Sequence, residues 1–318
     1  MTARTLNRLT LAASLIVFLA AAYVLYRNLE TMQLADLVAH LRSLPWLHVA
    51  AAFLFSAASY LVLTAYDYLA LRYAGRRLPY RKTAFASFVA FAISQNVGAA
   101  LVSGGSVRYR IYSGLGLGVR EIAEIVVFCA VTFALGVITV GGLMLVLDPD
   151  DVALVLGAPP ASMRAVGAVL LAVGLAYLGA ALVRPRPIPL GRYRLRLPSF
   201  ASCVAQIAVA SVDLALSGAV VYLLLPADAD VTYRTFLGVY VLAAAASILS
   251  HVPGGLGVFE MVIVVMLPGV PKAASMAALV GFRCVYFLLP LALALAAMTL
   301  YELARGERAI EGRLRRRK

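Results

Sequence analysis

Charged residues are scarce in this chain of 318 residues: Asp, Glu, Lys and Arg make up 14%, whereas hydrophobic residues make up 63%. A soluble domain is usually about half apolar and about a quarter charged. The composition therefore excludes an ordinary soluble protein and predicts an integral membrane protein. Because apolar segments and short links follow each other along nearly the whole sequence, we expect a single transmembrane domain over residues 1–318, without a large soluble domain.

Residues that carry metal or covalent chemistry are also few. The three cysteines, Cys129, Cys203 and Cys284, lie within or at the ends of apolar segments, without the spacing of a metal site or a disulfide framework. The sequence has no Gly-Lys-Ser/Thr phosphate loop, no HExxH pair and no Ser-His-Asp set. We therefore predict no metal, no cofactor and no catalytic residue, although the many serines and tyrosines leave an intramembrane enzyme open.

Acidic residues are outnumbered, with 15 Asp and Glu against 28 Lys and Arg, and the net charge is +13. In a soluble protein such an excess would indicate nucleic acid. Here the basic residues lie beside apolar segments, where they set membrane orientation and contact anionic lipid headgroups. We predict membrane lipids as partners, and no nucleic acid.

A membrane-spanning helix needs roughly 20 apolar residues. Six segments are long enough: residues 9–26, 46–71, 121–147, 163–183, 200–225 and 272–302. The first is too long for the apolar part of a secretion signal, so we interpret it as a membrane helix. Two further apolar stretches, 83–103 and 235–267, are interrupted by polar and glycine-rich sequence, which is typical of a transporter-like site at the middle of a membrane.

The distribution of Lys and Arg predicts the topology. The links 148–162 and 226–233 hold five Asp and no basic residue, whereas basic residues concentrate in both termini, 72–82, 104–120 and 184–198. Basic links face the cytoplasm, so both termini are expected there and the acidic links outside. Each interrupted stretch must then enter and leave on one side, as a re-entrant hairpin, and the two hairpins enter from opposite faces. The alternative of eight plain spans misplaces one basic loop.

The two halves of the chain have the same order of elements: a leading helix, a second helix, a hairpin and a closing helix. We therefore predict an all-α polytopic membrane protein, with six full spans and two re-entrant helical hairpins in an inverted-topology repeat. The first repeat covers residues 1–147 and the second 163–302, and 303–318 form a basic cytoplasmic tail.

The first interruption has the residues of an anion site. Arg108 and Arg110 follow Ser103-Gly-Gly-Ser106, which we predict to be a turn whose amides face a ligand. The planar guanidinium suits a phosphate or carboxylate. The predicted substrate-binding residues of the two interruptions are Gly104, Gly105, Ser106, Arg108, Arg110, Asn96, Gly254, Gly255 and Gly257. The alternative is that the arginines only set topology.

Ionisable residues inside apolar segments are costly and are usually functional or paired. We assign a polar path or gate to Asp213, Glu260, Arg283, Asp67, Glu124 and His251. Structural ion pairs are an equal alternative for Asp213, Glu260 and Arg283. For Asp67 a structural role is favoured, in which the side chain reaches the inner membrane interface or pairs with Arg72 or Arg108. His251 has no second His or Cys nearby and is expected to cap the interrupted helix.

Four blocks of sequence resemble the lysylphosphatidylglycerol synthase/flippase transmembrane family, the membrane part of the multiple peptide resistance factor. They are the block 94–117 with SGGSVRYRIYSGLGL, the pair Glu121 and Glu124, the block HVPGGLGVFE at 251–260, and the pattern of Phe282, Arg283, Phe287 and Pro290. The resemblance covers nearly the whole chain. It implies inverted repeats, re-entrant helices around a lipid-sized cavity, and movement of an anionic or aminoacylated phospholipid between leaflets.

The resemblance leads to a bacterial inner-membrane flippase or scramblase as the expected function, with a homodimer left open. Members of the family append a soluble aminoacyl-transfer domain, and this sequence stops at Lys318, so lysyl transfer is not expected. A secondary transporter of a small anionic solute and an intramembrane lipid-modifying enzyme, using Glu260 with His251, are the alternatives. A lipid site must open sideways into the bilayer, whereas a solute site need not.

Overall fold

The computed structural model describes residues 44–97, 100–183, 188–190, 193–195, 197–226, 229–250, 257–267 and 269–315, and helices account for most of them. The helices are α1 (Trp46–Tyr73), α2 (Tyr80–Val97), α3 (Ala100–Ser113), α4 (Val119–Leu147), α5 (Asp150–Leu156), α6 (Pro160–Val183), α7 (Phe200–Leu224), α8 (Tyr233–Leu249), α9 (Val258–Met266), α10 (Lys272–Phe282) and α11 (Leu289–Arg315). A π-helical segment, Arg283–Leu288, joins α10 to α11. In the basic link 184–198, β1 (Ile188–Leu190) and β2 (Tyr193–Leu195) form a short antiparallel pair.

Five helical stretches in the described part of the chain are long and apolar enough to cross a membrane. They are Trp46–Tyr73, Val119–Leu147, Pro160–Val183, Phe200–Leu224 and Lys272–Ala304. Their positions match five of the six predicted spans. The remaining predicted span, 9–26, lies outside the described residues.

The first interrupted stretch is a pair of helices, α2 and α3, that fold back on each other. A Cβ on Gly104 would lie 3.2 Å from Cβ of Ser94. In one continuous helix these two positions would be about 15 Å apart along the axis. Helices α2 and α3 therefore pack side by side and are not parts of one continuous helix.

The turn predicted at 103–106 is wrong, because these residues lie inside α3. The amides of Gly104 and Gly105 belong to the hydrogen-bonding pattern of that helix and do not gather around a ligand. The small size of Gly104 has another use, since it lets α3 approach α2 closely. Glycine has a low helix propensity, but packing of α3 against α2 offsets this cost. The helix that begins at Ala100 therefore continues through both glycines.

The second interrupted stretch also folds back, as α8 and α9. The rings of Tyr240 and Phe259 meet edge to face at a centroid distance of 5.6 Å, although 19 positions separate them in sequence. Gly257 precedes α9 with φ of +81°, a conformation that favours glycine. Its amide donates to Oε2 of Glu260 at 2.8 Å, so Glu260 caps its own helix. Residues 251–256 of the predicted interruption lie outside the described residues.

The last span changes from α to π geometry at Arg283–Leu288, and Pro290 explains why. Proline has no amide hydrogen, so it cannot bond the carbonyl of Val285 or of Tyr286 one turn earlier. Side chains from α1 take these carbonyls instead: Ser56 donates to Val285 O and Tyr60 to Tyr286 O, each at 3.2 Å. The irregular segment is thereby fixed against α1.

Small residues bring α4 close to two other spans. A Cβ on Gly136 would lie 2.6 Å from Cβ of Ala210 in α7. Likewise, Gly142 of α4 faces Gly167 of α6, where a Cβ would meet a backbone carbonyl at 2.7–3.0 Å. Close approach of helix backbones through small residues is typical of membrane bundles. Helices α1, α4 and α7 also pack against one another, and Asp67 and Asp213 lie in the interior that they form.

Candidate functional site

One face of α1 carries the polar side chains that organise the interior. Ser56, Ser59, Tyr60 and Asp67 follow each other at spacings of three, one and seven residues, which puts them on one side of a helix. All four are buried, Ser59 and Asp67 completely. This polar face meets α2 and α3 at one end, and α7 and the π-helical segment at the other.

Asp67 and Arg108 form a buried ion pair between α1 and α3. The Nε of Arg108 lies 3.1 and 3.0 Å from the two carboxylate oxygens, and Nη2 lies 2.7 Å from Oδ1. Tyr112 donates to Oδ2 at 2.7 Å and Ser87 to Oδ1 at 3.3 Å. The guanidinium also lies over the ring of Phe91, 4.7 Å from its centroid. Arg108 is only 3% exposed, so in this structure its donors face Asp67 and not an open site.

Arg110, two residues further along α3, pairs with Glu302 of α11. Its Nε and Nη2 donate to the two carboxylate oxygens at 2.9 and 2.6 Å. The two side chains are 19% and 34% exposed, so this pair is more accessible than the pair of Arg108. Both predicted headgroup arginines are therefore bound bidentately by carboxylates, which have the same recognition geometry as phosphate.

Asp213 of α7 is the second buried carboxyl of the interior, 3% exposed. The hydroxyl of Ser59 donates to Oδ1 at 2.5 Å, and that of Tyr66 to Oδ2 at 3.4 Å. Ser59 is also 2.8 Å from the hydroxyl of Tyr286 in the π-helical segment. Hydroxyl groups are thus the partners of this carboxyl among the described residues, where no basic side chain pairs with it.

Glu260 and Arg283 form a third ion pair, between α9 and the start of the π-helical segment. The Nε of Arg283 donates to Oε1 of Glu260 at 2.6 Å, and Nη2 contacts the same oxygen. Because the other oxygen of Glu260 caps α9 at Gly257, the carboxylate is held from two sides. Both side chains are largely buried, with exposures of 19% for Arg283 and 13% for Glu260.

This third pair lies in the wall of a groove with a volume of about 470 Å³. Apart from Gly257, Glu260 and Arg283, the groove is lined by apolar side chains, namely Met261, Val264, Met276, Leu279 and Val280. Met261 is 68% and Met276 46% exposed, so the groove reaches the outer surface of the helices. The groove thus combines an apolar surface, open to the outer side of the helices, with the ion pair of Glu260 and Arg283 in its wall.

The other predicted site residues lie apart from this groove or outside the described residues. Asn96 donates to Phe287 O at 3.2 Å and so joins α2 to the π-helical segment. Ser106 bonds Val102 O of its own helix. Glu124 pairs with Arg120 at 3.0 Å on the exposed start of α4. His251, Gly254 and Gly255 are not among the described residues.

Sequence reasoning missed Ser59, Tyr66, Tyr112 and Tyr286. A signal for the first two was present, because polar residues recur on one face of an otherwise apolar span. Tyr112 lies one helical turn beyond Arg108, where α3 continues past the predicted turn. Tyr286 lies in the π-helical segment, four residues after the buried Phe282, and its ring stacks on that of Phe282.

Apolar spans packed around buried ion pairs define a polytopic membrane protein. The sequence profile of the lysylphosphatidylglycerol synthase transmembrane region matches residues 9–294, and the chain belongs to this family. It is 38% identical over 263 residues to the protein slr0712 of Synechocystis, covering 82% of this chain and 81% of the relative. It is 32% identical over 247 residues to the inner membrane protein YbhN of Escherichia coli, covering 77% of each. The phosphatidylglycerol lysyltransferase of Staphylococcus aureus strain MRSA252 is 24% identical over 310 residues, which are 96% of this chain and 35% of that protein.

Proposed function

We propose that this protein is a flippase or scramblase that moves a phospholipid between the leaflets of the bacterial inner membrane. The observation that carries the proposal is the groove between α9, α10 and the π-helical segment. An acyl chain needs an apolar surface open to the bilayer, and a headgroup needs fixed polar partners near it. The exposed Met261 and Met276 supply the first, and Glu260 with Arg283 supply the second.

The same groove favours a lipid over a small anionic solute. A solute pathway needs polar surface along its length, whereas the side chains around this groove are apolar except at the ion pair. The family relation supports the same choice, because the S. aureus relative is a phosphatidylglycerol lysyltransferase. The substrate class we propose is therefore an anionic or aminoacylated phospholipid.

In the proposed arrangement, residues 1–147 and 163–302 are inverted repeats, and 303–318 form a cytoplasmic tail. The pairs α2–α3 and α8–α9 are then re-entrant hairpins that enter from opposite faces. Their folded-back geometry supports this arrangement, as do the basic link 72–82 and the acidic link 148–162. Both termini are cytoplasmic in this topology.

Arg108 and Arg110 are the proposed headgroup ligands of another conformational state. In the observed state Asp67 and Glu302 occupy their donors. A phosphate offers oxygens with similar geometry, so movement of the α2–α3 hairpin away from α1 and α11 would let it replace the carboxylates. Asp213, Glu260 and Arg283 form the polar path across the rest of the bundle.

The experiment that tests the proposal is transbilayer movement of fluorescent phospholipids in proteoliposomes, with headgroups that differ in charge. The expected result is faster movement than in protein-free vesicles, strongest for a phosphate headgroup. A parallel assay of anion efflux from the same vesicles separates the two transporter hypotheses. Anion efflux without lipid movement would replace this proposal by the solute transporter.

Arg110→Gln tests the headgroup role with Arg120→Gln as its matched control. Both changes remove one positive charge near the same face, but Arg120 pairs with Glu124 on an exposed helix start. We expect slower movement of phosphate lipids with Arg110→Gln and no change with the control. Equal effects of the two changes would reduce Arg110 to a topology signal.

A further inference from the structure

Asp213 differs from the other carboxylates that the structure describes in the interior of the helix bundle. Asp67 meets Arg108, Glu302 meets Arg110, and Glu260 meets Arg283, so each negative charge has a cation beside it. Asp213 meets the hydroxyls of Ser59 and Tyr66 instead. A carboxylate buried without a cation carries a cost of several kcal/mol.

Among the residues that the structure describes, the surroundings of Asp213 supply no other charge to compensate. The titratable groups facing it are tyrosines: Tyr60 and Tyr66 from α1, Tyr240 from α8 and Tyr286 from the π-helical segment. Among the described residues of α4, α6 and α10, which also pack against α7, no charged side chain acts on it. Within the described part of the chain, no side chain balances the charge of Asp213, which a proton from solution can neutralise.

We propose that Asp213 is a proton-binding site that couples lipid movement to a proton gradient, an inference that rests on the proposed function. One carboxylate oxygen takes a proton from a hydronium ion on one side, so one O–H bond forms as another breaks. Release on the other side reverses this exchange and gives the proton to water there. One carboxyl implies one proton in each transport cycle.

A proton fits this position better than a metal ion. Hard cations such as Mg²⁺ and Ca²⁺ gather about six or more oxygen ligands. Here two hydroxyls contact one carboxyl, and the described residues contain no group of three His, Cys, Asp or Glu that could hold a metal. A hydroxyl can donate to the charged carboxylate and accept from the neutral acid, so the same two residues serve both states.

A chain of contacts connects Asp213 to the groove. Ser59 touches both Asp213 and Tyr286, whose hydroxyl lies 2.8 Å from it. Tyr286 belongs to the π-helical segment that begins with Arg283, and Arg283 holds Glu260 in the groove wall. A change of charge at Asp213 thus acts, through Ser59 and Tyr286, on the π-helical segment that carries Arg283 of the groove. Segments of π-helix are often found at functional sites.

The first test measures the proton directly, without any lipid transport. Infrared difference spectra of the purified protein, recorded during a pH titration, report the carbonyl band of a protonated carboxyl. We expect a titrating band in the wild type that is absent in Asp213→Asn. In Ser59→Ala, which keeps the carboxyl, the midpoint should move to higher pH because a donor to the charged form is lost. Identical bands in the wild type and both variants would overturn the proposal.

The second test measures coupling in proteoliposomes that carry a pH gradient. With one proton per lipid, a gradient of one pH unit shifts the steady-state ratio of a trace fluorescent lipid between leaflets about tenfold, since one unit is worth about 1.4 kcal/mol. In Asp213→Asn the ratio should not respond to the gradient. Wild-type movement that ignores the gradient would refute the coupling and leave the lipid function intact. Absence of any lipid movement would refute the proposed function, while the infrared titration still decides the proton site.

Discussion

Replacing Arg108 by Gln removes the cation of the most deeply buried ion pair and leaves Asp67 without a counter-charge. The structure gives the pair three N–H to oxygen contacts of 2.7–3.1 Å, with side-chain exposures of 4% and 0%. Breaking such a pair by removing one partner costs about 3–5 kcal/mol, because the remaining charge stays buried. We expect Arg108→Gln to lower the free energy of unfolding by this amount.

A double-mutant cycle assigns this loss to the pair. Asp67→Asn alone should also destabilise, because it leaves the guanidinium buried beside Phe91 without its carboxylate. The double variant has no unpaired charge, so it should recover about 2 kcal/mol or more of the sum of the single losses. The measurement is reversible unfolding in mixed detergent micelles. Single losses below about 1 kcal/mol, or losses that simply add, would refute the buried-pair reasoning.

Two further predictions concern packing and topology. Gly136→Ala should lower the free energy of unfolding by about 1–3 kcal/mol, because its Cβ would lie 2.6 Å from that of Ala210. The control, Gly179→Ala, places its Cβ where no atom lies within 4 Å, so it should have little effect. Equal stabilities of the two variants in micelles would contradict the close packing of α4 on α7. Single cysteines in place of the exposed Arg77 and Ser162 should react with an impermeant thiol reagent from opposite sides of the membrane, and labelling from the same side would contradict the proposed topology.

The positions of the long helices follow from apolar length. The spans 46–71, 121–147 and 163–183 agree with α1, α4 and α6 within a few residues, because roughly 20 apolar residues leave a helix few alternatives in a bilayer. The all-helical prediction did not include the β1–β2 pair in the link 184–198. Local residue patterns there are too short to decide between turn and strand.

The details of the first interruption could not be predicted as well. The glycines at 104 and 105 suggest a turn when only local propensity is considered. In the structure they lie inside α3, because the tertiary contact of Gly104 with Ser94 uses the missing side chain for packing. Propensity is a weak prior where tertiary packing competes with it.

The candidate site was predictable in its residues but not in its pairings. Asp67, Arg108, Glu260 and Arg283 stand out as charges inside apolar sequence. The pairing of Asp67 with Arg108 was one of three structural alternatives, beside a pair with Arg72 and a position at the inner interface, and it is the one that the structure contains. The partners of Asp213 were missed, because hydroxyl side chains are common in membrane helices and give no signal by themselves.

The measurement that tests the central claim most directly is lipid movement after the groove is filled. Val264 lines the groove, whereas its neighbour Val265 is 50% exposed on another side of α9, so Val264→Trp and Val265→Trp place the same bulk inside and outside it. In proteoliposomes we predict that Val264→Trp slows transbilayer movement of phospholipid at least tenfold, about 1.4 kcal/mol in barrier height, while Val265→Trp moves lipid at the wild-type rate. Equal rates for the two variants would contradict the groove as the lipid site, and wild-type protein that moves no lipid would contradict the function itself.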